Sequence, residues 1–311
     1  MTSTAVELRT TKPSLLLRMA TWLISKRTPI FPKDASDVHG FLHNRKPPRD
    51  APMPEAMRSK YQIEEWTAAG QKVVTIHPKS GPADWHMLYF HGGGFVLPMF
   101  KEHWPLAGAM VDACRLSVTV PLYEVLPESS YERQDAVADA AFAKLAETHD
   151  PARIILNGDS AGGHMALSLA LRLARASGPQ PGKLALFAPW LDVTMADEAI
   201  AAVEPHDFML KTGALRECGK AFAANRDPAG PECSPLYTPA EELAMLPPTR
   251  IWTGRHDLFI IDSRSFADKL IEAGVDAKLY EYEGAPHVFM AITPAKESKD
   301  TMRLLCEFIE N

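Results

Sequence analysis

Long apolar runs, closely spaced cysteines and excess positive charge are all missing from this chain of 311 residues. No apolar run reaches the roughly 18 residues that a membrane-spanning helix needs. The net charge of −6 gives no positive field for a phosphate backbone, so a nucleic-acid partner is not expected. A hydrophobic content of 46% supplies a large core, and together these features favour a globular enzyme acting on a small molecule.

Cysteine is also scarce, and no CxxC pair occurs. We expect the four cysteines to be reduced thiols, mostly in the core, and the protein to be cytoplasmic. His39 and His43 are spaced for a shared metal but lack a third ligand and the HExxH form, so neither a metal nor another cofactor is predicted. The cysteines are Cys114, Cys218, Cys233 and Cys306.

The N-terminal segment "KPSLLLRMATWLISKR" has basic flanks around an apolar stretch that Arg18 interrupts. Its apolar residues recur at helical spacing, which predicts an amphipathic helix rather than a secretory signal. We expect this helix to pack on the rest of the protein and not to insert stably into a membrane. An interfacial membrane helix is the alternative. The apolar positions are Leu15, Leu16, Met19, Leu23 and Ile24.

Apolar, strand-like runs alternate with helical segments from Lys72 onwards. This alternation predicts a mostly parallel central sheet flanked by helices on both faces. The Ala- and Pro-rich stretch 191–248 breaks the rhythm and is expected to form helices over the strand ends, where open α/β sheets bind ligands. The predicted strands are "KVVTIHP", "HMLYF", "LSVTVPL", "RIILN", "KLALFAP", "TRIWTG" and "AKLYEYEG"; the predicted helices are 104–114, 134–148, 161–176, 263–273 and 296–310.

The sequence Gly158-Asp159-Ser160-Ala161-Gly162 joins a strand pattern to a helix pattern within very few residues. Small residues on both sides of Ser160 allow the sharp turn of a G-x-S-x-G nucleophile elbow. A phosphate-binding loop does not fit, because His164-Met165 replaces the required lysine and hydroxyl. A plain glycine-rich turn with an exposed serine is the remaining alternative.

The motif His91-Gly92-Gly93-Gly94 follows another predicted strand, "LYF". Glycines let backbone N–H groups point into a pocket that a Cβ would obstruct. The amides of Gly92, Gly93 and Ala161 are therefore predicted to form an oxyanion hole. A flexible loop at the strand end is the alternative.

A serine nucleophile needs a base and an acid that orients it, and in this type of site both follow the serine along the chain. Asp257 comes just after the strand "TRIWTG", and His287 just after "AKLYEY". These residues are the predicted acid and base. Asp262 is a rival acid, but its expected position at a helix start suits a capping role.

The ordered motifs resemble the hormone-sensitive-lipase-like esterases of the α/β-hydrolase superfamily, from about Lys72 to the C-terminus. The resemblance implies a serine carboxylesterase for short acyl chains, without a cofactor, in which His91 holds the glycine loop. It also implies N-terminal cap helices in 1–50, a catalytic core in 51–190 and 249–311, and a cap insertion in 191–248. The motifs are HGGGF (91–95), YEVLPES (123–129), GDSAGG (158–163), APWLDV (188–193) and CSPLY (233–237).

Two features differ from the family pattern: "DLFIID" stands where Asp-Pro-Leu is common, and "HVF" where His-Gly-Phe is common. The resemblance further suggests a homodimer through the sheet edge near 278–282. Hydrolysis of amides, carbamates or acetylated sugars by the same chemistry stays open, as does a non-catalytic receptor on the same fold. Residues expected to line the substrate pocket, or alternatively to belong to the core of the cap, are Phe95, Trp190, Phe208, Leu210 and Val288.

Overall fold

A computed structural model describes residues 6–10, 12–26, 35–44, 48–81 and 84–311. The strands are β1 (Val6–Thr10), β2 (Gln62–Ala68), β3 (Gln71–His77), β4 (His86–Phe90), β5 (Ser117–Pro121), β6 (Ile154–Asp159), β7 (Lys183–Phe187), β8 (Thr249–Gly254) and β9 (Ala277–Tyr282). The helices are α1 (Leu15–Ser25), α2 (Ala35–Asn44), α3 (Glu55–Lys60), α4 (His103–Cys114), α5 (Tyr131–Ala146), α6 (Ala161–Arg175), α7 (Ile200–Val203), α8 (Thr212–Ala223), α9 (Ala240–Leu243), α10 (Ile260–Glu272) and α11 (Lys296–Glu310).

The strands form one sheet in the order β1-β9-β8-β7-β6-β4-β5-β3-β2. Every neighbouring pair is parallel except β2–β3 and β3–β5. The predicted mostly parallel sheet, and with it the α/β-hydrolase fold, is therefore confirmed.

Side chains of the central strands are buried on both faces of the sheet. In β4, Leu88 and Phe90 belong to one core cluster, whereas Met87 and Tyr89 belong to a second. This alternation follows from the two-residue period of a strand. Buried residues of α5, α6 and α10 complete the first cluster and those of α4 and α11 the second, so the predicted helices cover both faces.

Strand β1 has no counterpart among the predicted strands. It pairs in parallel with β9, from Val6 opposite Leu279 to Thr10 opposite Tyr282. The edge of the sheet at this end is therefore β1 rather than the segment 278–282, and the expected homodimer stays a prediction. Because β9 is already paired on both sides, an intermolecular sheet at this end would have to form through β1.

Among the described residues of 1–50, the two helices contact different parts of the protein, and the expected division into cap and core stays a prediction. Helix α2 contacts α8, a helix of 191–248, and its Val38 and Leu42 are buried in the first core cluster. Helix α1 instead contacts α11. Within 191–248 the structure has α7, α8 and α9, in agreement with the expected helical insertion. The side chains of His39 and His43 lie outside the described residues.

The expected packing of α1 is wrong for most of its apolar side chains. Leu17 is fully buried and Ile24 is half-buried, but Leu15, Leu16, Met19 and Leu23 are exposed. A small buried face suffices to hold the helix, so helical periodicity alone could not indicate which apolar face meets the core. No helix in the described ranges is long and apolar enough to cross a membrane.

The expectation of four reduced cysteines is also wrong. Cys114, at the end of α4, and Cys306, in α11, form a disulfide although 192 positions separate them. The pairing is possible because α4 and α11 lie side by side on one face of the sheet. Cys218 and Cys233 are buried, as expected.

Candidate active site

The predicted site residues come from loops that follow four strands of the same parallel sheet. His91 and the glycines follow β4, Ser160 follows β6, Asp257 follows β8, and His287 follows β9. Because these strands are parallel, their carboxyl ends share one edge of the sheet. Residues far apart in sequence are brought to one side of the molecule in this way.

Ser160 lies in a sharp turn with φ 55° and ψ −121°, outside the regions that non-glycine residues ordinarily adopt. The turn is held by a hydrogen bond from the Ser160 amide to the Phe187 carbonyl, 2.9 Å long. A Cβ on Gly158 would lie 2.2 Å from the Gly162 carbonyl oxygen, and one on Gly162 would lie 2.0 Å from that of Phe90. The glycines are therefore required sterically, as a nucleophile elbow demands.

The three predicted oxyanion donors flank this turn. The backbone amides of Gly92, Gly93 and Ala161 are buried, and none donates a hydrogen bond within the described part of the chain. Buried N–H groups without an acceptor are rare in proteins, and such groups often mark a ligand position. Gly93 has φ +130°, and a Cβ on Gly92 would lie 2.3 Å from Asp159 Oδ2. Substitution of either glycine would distort the loop.

His91 is buried beneath the glycine loop and is not available as a base. Its Nδ1–H donates to the Gly92 carbonyl at 2.7 Å, and its ring stacks on Tyr123 at 4.2 Å. The Tyr123 hydroxyl in turn donates to the His91 carbonyl at 2.6 Å. Burial lowers the pKa of His91 to about 3, so the ring is neutral and supports the loop.

His287 and Asp257 form a buried hydrogen-bonded pair. His287 Nδ1 lies 2.8 Å from Asp257 Oδ2, and Asp257 Oδ1 accepts from the Phe259 amide at 2.9 Å. An ionised carboxylate only accepts hydrogen bonds, so Nδ1 carries the proton and Nε2 has a free lone pair. Burial acts to lower the pKa of His287, but the charges of Asp257, Asp207 and Asp159 outweigh it and raise that pKa above its usual value.

Ser160 and His287 are not hydrogen-bonded to each other in this structure. Their loops are connected through aromatic contacts. The Trp190 amide donates to the Ser160 carbonyl at 3.0 Å, the Trp190 ring stacks on Phe259 at 5.8 Å, and Phe259 meets the His287 ring edge-on at 5.1 Å. Both Ser160 and His287 keep 6% of their surface exposed, whereas Asp257 is fully buried. Catalytic hydrogen bonds are often long before substrate binds.

Asp262 does not contact His287. It lies in the first turn of α10 rather than at the N-cap, and neither of its buried carboxylate oxygens has a hydrogen-bond partner in the described part of the chain. Burial raises its pKa to about 7. The expected capping role is therefore not observed, and the structure joins His287 to Asp257.

Asp207 is buried near the His287–Asp257 pair and is not among the residues predicted from the sequence. Its Oδ1 accepts from the amides of Met209 and Leu210 at 2.8 Å, and its Oδ2 accepts from the Leu258 amide at 3.1 Å. Burial and the charge of Asp257 raise its pKa to about 6. An Asp side chain that accepts from backbone amides two and three residues later is a recognisable turn signal. Nothing in the sequence around Asp207, however, indicates that it lies close to the loop of Asp257.

The five predicted lining residues divide into two groups. Phe95, Trp190 and Leu210 are buried in the core, where the Phe95 ring stacks on Trp190 at 5.4 Å. Phe208 and Val288 are half-buried. Of these five residues, solvent therefore reaches mainly Phe208 and Val288. The burial of the other three agrees with the alternative prediction, that they belong to the core.

The family model described as "alpha/beta hydrolase fold" matches residues 87–291, which include every predicted oxyanion and triad residue. An esterase of Acinetobacter venetianus is 31% identical over 71% of this chain and 73% of its own length. An acetyl-hydrolase of Streptomyces hygroscopicus is 29% identical over 65% of this chain and 67% of its own. A solved bacterial esterase of the hormone-sensitive lipase family has a TM-score of 0.79 at 24% identity, over 96% of this chain and 98% of that one. With these similarities and the strand-end site, the chain belongs to the α/β-hydrolase family.

Proposed function

We propose that the protein is a serine carboxylesterase that hydrolyses short-chain acyl esters through Ser160, His287 and Asp257. The observation that carries this proposal is the 2.8 Å hydrogen bond between His287 and Asp257, at the same sheet edge as the strained serine turn. The pair fixes the imidazole tautomer in which Nε2 is free to accept a proton. Relatives named esterase and acetyl-hydrolase support the same reaction class.

Acylation begins when Ser160 Oγ attacks the ester carbonyl carbon and His287 Nε2 takes the hydroxyl proton. The carbonyl oxygen becomes negative and accepts hydrogen bonds from the amides of Gly92, Gly93 and Ala161. Collapse of this intermediate breaks the bond to the alcohol oxygen, which receives the proton from His287 and leaves. The acyl group remains bound to Ser160 Oγ.

Deacylation repeats these steps with water as the nucleophile. His287 removes one proton from the water while the oxygen attacks the acyl carbon, and the same amides stabilise the second oxyanion. The Ser160 Oγ bond then breaks, Oγ recovers the proton, and the carboxylic acid departs. Asp257 stabilises the imidazolium in both halves of the reaction without itself taking the proton.

The preference for short acyl chains is inferred from the restricted access to the site. Ser160 and His287 are only 6% exposed, and Phe208 and Val288 are the predicted lining residues that retain surface. The low exposure of the two reacting side chains favours small acyl groups, because a longer acyl chain needs more open space beside them.

The test is hydrolysis of p-nitrophenyl acetate, butyrate and longer esters, with matched anilides, by wild type and Ser160→Ala. We expect wild type to prefer acetate or butyrate and the variant to lose turnover. Ser168→Ala, on helix α6, is the matched control and should keep full activity. Turnover by Ser160→Ala near the wild-type rate would refute the nucleophile, and faster hydrolysis of the anilides would refute the ester assignment.

Cellular location and oligomeric state stay predictions. Disulfides such as Cys114–Cys306 persist mainly in oxidising compartments, which removes one ground for a cytoplasmic location. Cell fractionation tests the location. Analytical ultracentrifugation tests the homodimer, whose sheet contact would have to use β1.

A further inference from the structure

Helix α1 concentrates exposed apolar surface on one side. Among the described residues, five of the eight large hydrophobic side chains that are exposed belong to this helix, each between 40% and 74% exposed. At 100° per residue they cover an arc of about 120°. Isolated apolar side chains are normal on protein surfaces, but a continuous arc marks an interaction surface. The five residues, which we call the α1 apolar face, are Leu15, Leu16, Met19, Trp22 and Leu23.

The charged side chains within the segment that carries the α1 apolar face are all positive. The segment from Lys12 to Lys26 contains Lys12, Arg18 and Lys26 and not a single Asp or Glu, in a chain whose net charge is −6. No ion pair within the described ranges uses these three side chains, all of which are exposed. Their charges are thus available to an external anionic partner.

The opposite side of α1 is fixed to the protein. The Ser14 amide and hydroxyl donate to the Glu297 carboxylate at 2.5 and 2.7 Å, and Ser14 Oγ also caps the helix by accepting from the Leu17 amide. Leu17 is fully buried in the core cluster that includes Phe289 and Met290, just after His287. The helix therefore presents a fixed surface, anchored to α11.

From this combination we infer that the α1 apolar face docks on the surface of a lipid bilayer that contains anionic lipids. An apolar arc with Trp and Leu, bordered by Lys and Arg, is the pattern of a helix that lies in the membrane interface. With 11 residues the helix is about 16 Å long, about half the thickness of a bilayer core, so it lies on the membrane rather than spanning it. A second protein copy is disfavoured because like charges would meet across the contact.

The experiment is co-sedimentation of the full chain with vesicles of phosphatidylcholine alone or mixed with phosphatidylglycerol. We expect binding to the mixed vesicles, weaker at high salt and much weaker to phosphatidylcholine alone. Arg18→Gln and Lys26→Gln should each lower the affinity about fivefold. The triple substitution Leu15→Ser, Met19→Ser, Leu23→Ser should lower it at least tenfold.

Two controls separate this inference from the proposed function and from misfolding. Met245→Ser, which removes an exposed apolar side chain outside α1, should bind like wild type, and so should Ser160→Ala, because docking does not need hydrolysis. Each variant is checked by its melting temperature and, apart from Ser160→Ala, by its activity on a water-soluble ester. If the triple variant does not fold, the two charge variants decide the result.

Three results would overturn the inference. The first is that wild type does not bind the mixed vesicles. The second is that wild type binds both vesicle types equally, or that all variants bind as tightly as wild type. The third is a concentration-dependent dimer in ultracentrifugation that the α1 substitutions abolish while vesicles bind nothing. That last outcome would assign the α1 apolar face to self-association.

Discussion

Gly92 offers a direct test of the oxyanion hole. Its φ lies outside the left-handed region, so alanine fits the backbone conformation at this position. The added Cβ, however, would lie 2.3 Å from Asp159 Oδ2 and 3.0 Å from Ser160 Cβ. Since Asp159 is fixed by other contacts, the loop carrying the Gly92 and Gly93 amides must move. Gly92→Ala therefore perturbs the predicted oxyanion donors, while the three predicted triad residues keep their identity.

The expected loss can be estimated from the chemistry. Removal of one oxyanion donor typically lowers kcat by about 10² to 10³, which corresponds to about 2.7–4 kcal/mol of transition-state stabilisation. The assay is kcat and KM on p-nitrophenyl butyrate, together with active-site titration by a phosphonate so that only folded enzyme is counted. Because the donors act in the transition state, kcat should fall far more than KM changes.

Gly178→Ala is the matched control. This glycine follows α6, and a Cβ there would make only an ordinary contact of 3.6 Å with the Leu173 carbonyl oxygen. We expect wild-type kinetics for it. If Gly92→Ala keeps the wild-type kcat with a full complement of titratable sites, the glycine amides do not stabilise the transition state and the proposed role of this loop is wrong.

Four further predictions concern the acid, the base and the disulfide. Asp257→Asn should lower kcat by about 10⁴, measured on the same ester, because the imidazole would lose its correct tautomer; near-wild-type kcat would contradict the assignment. The kcat/KM of wild type should fall as pH decreases through the raised pKa of His287, with the acidic limb centred above pH 6.5. Asp207→Asn removes a charge that raises this pKa, so the limb should shift to lower pH, and an unchanged profile would exclude the electrostatic role of Asp207. Cys114→Ser should lower the free energy of unfolding in urea by about 2–4 kcal/mol, and no change would show that the disulfide does not form in solution.

The predicted residues of the candidate site could be named from sequence because each depends on local pattern or chain order, whereas Asp207 could not. Gly158 and Gly162 are required within a few residues of Ser160, and the order of serine, acid and base follows the order of the strands. The disulfide and β1 were not predictable in the same way. Cys114 and Cys306 are 192 positions apart, and Val6 pairs with Leu279, so both contacts depend on tertiary packing that no short window contains. The prediction that the apolar residues of α1 pack on the protein was wrong for a related reason. Periodicity identifies an apolar face but not what covers it.

Asp159 poses an electrostatic problem for the proposed mechanism, and the structure indicates how it is solved. Its carboxylate is buried beside Gly92, where a negative charge would oppose an oxyanion. The Tyr89 hydroxyl donates to Asp159 Oδ1 at 2.5 Å, and His103 Nε2 lies 3.4 Å from Oδ2. His103 Nδ1 accepts from the Phe100 amide at 2.9 Å, so the ring proton is on Nε2 and faces the carboxylate.

Burial acts to raise the pKa of Asp159, but His103 and Tyr89 lower it below its usual value. The carboxylate is thus ionised, yet two donors on the side of the core compensate its charge. His103→Ala would remove one of these two donors and leave that charge with the Tyr89 hydroxyl alone, next to the predicted oxyanion hole. We therefore expect kcat to fall at least tenfold while KM for butyrate changes little, because the ground-state ester is neutral. If kcat/KM falls by the same factor because KM rises while kcat stays unchanged, His103 acts in substrate binding instead.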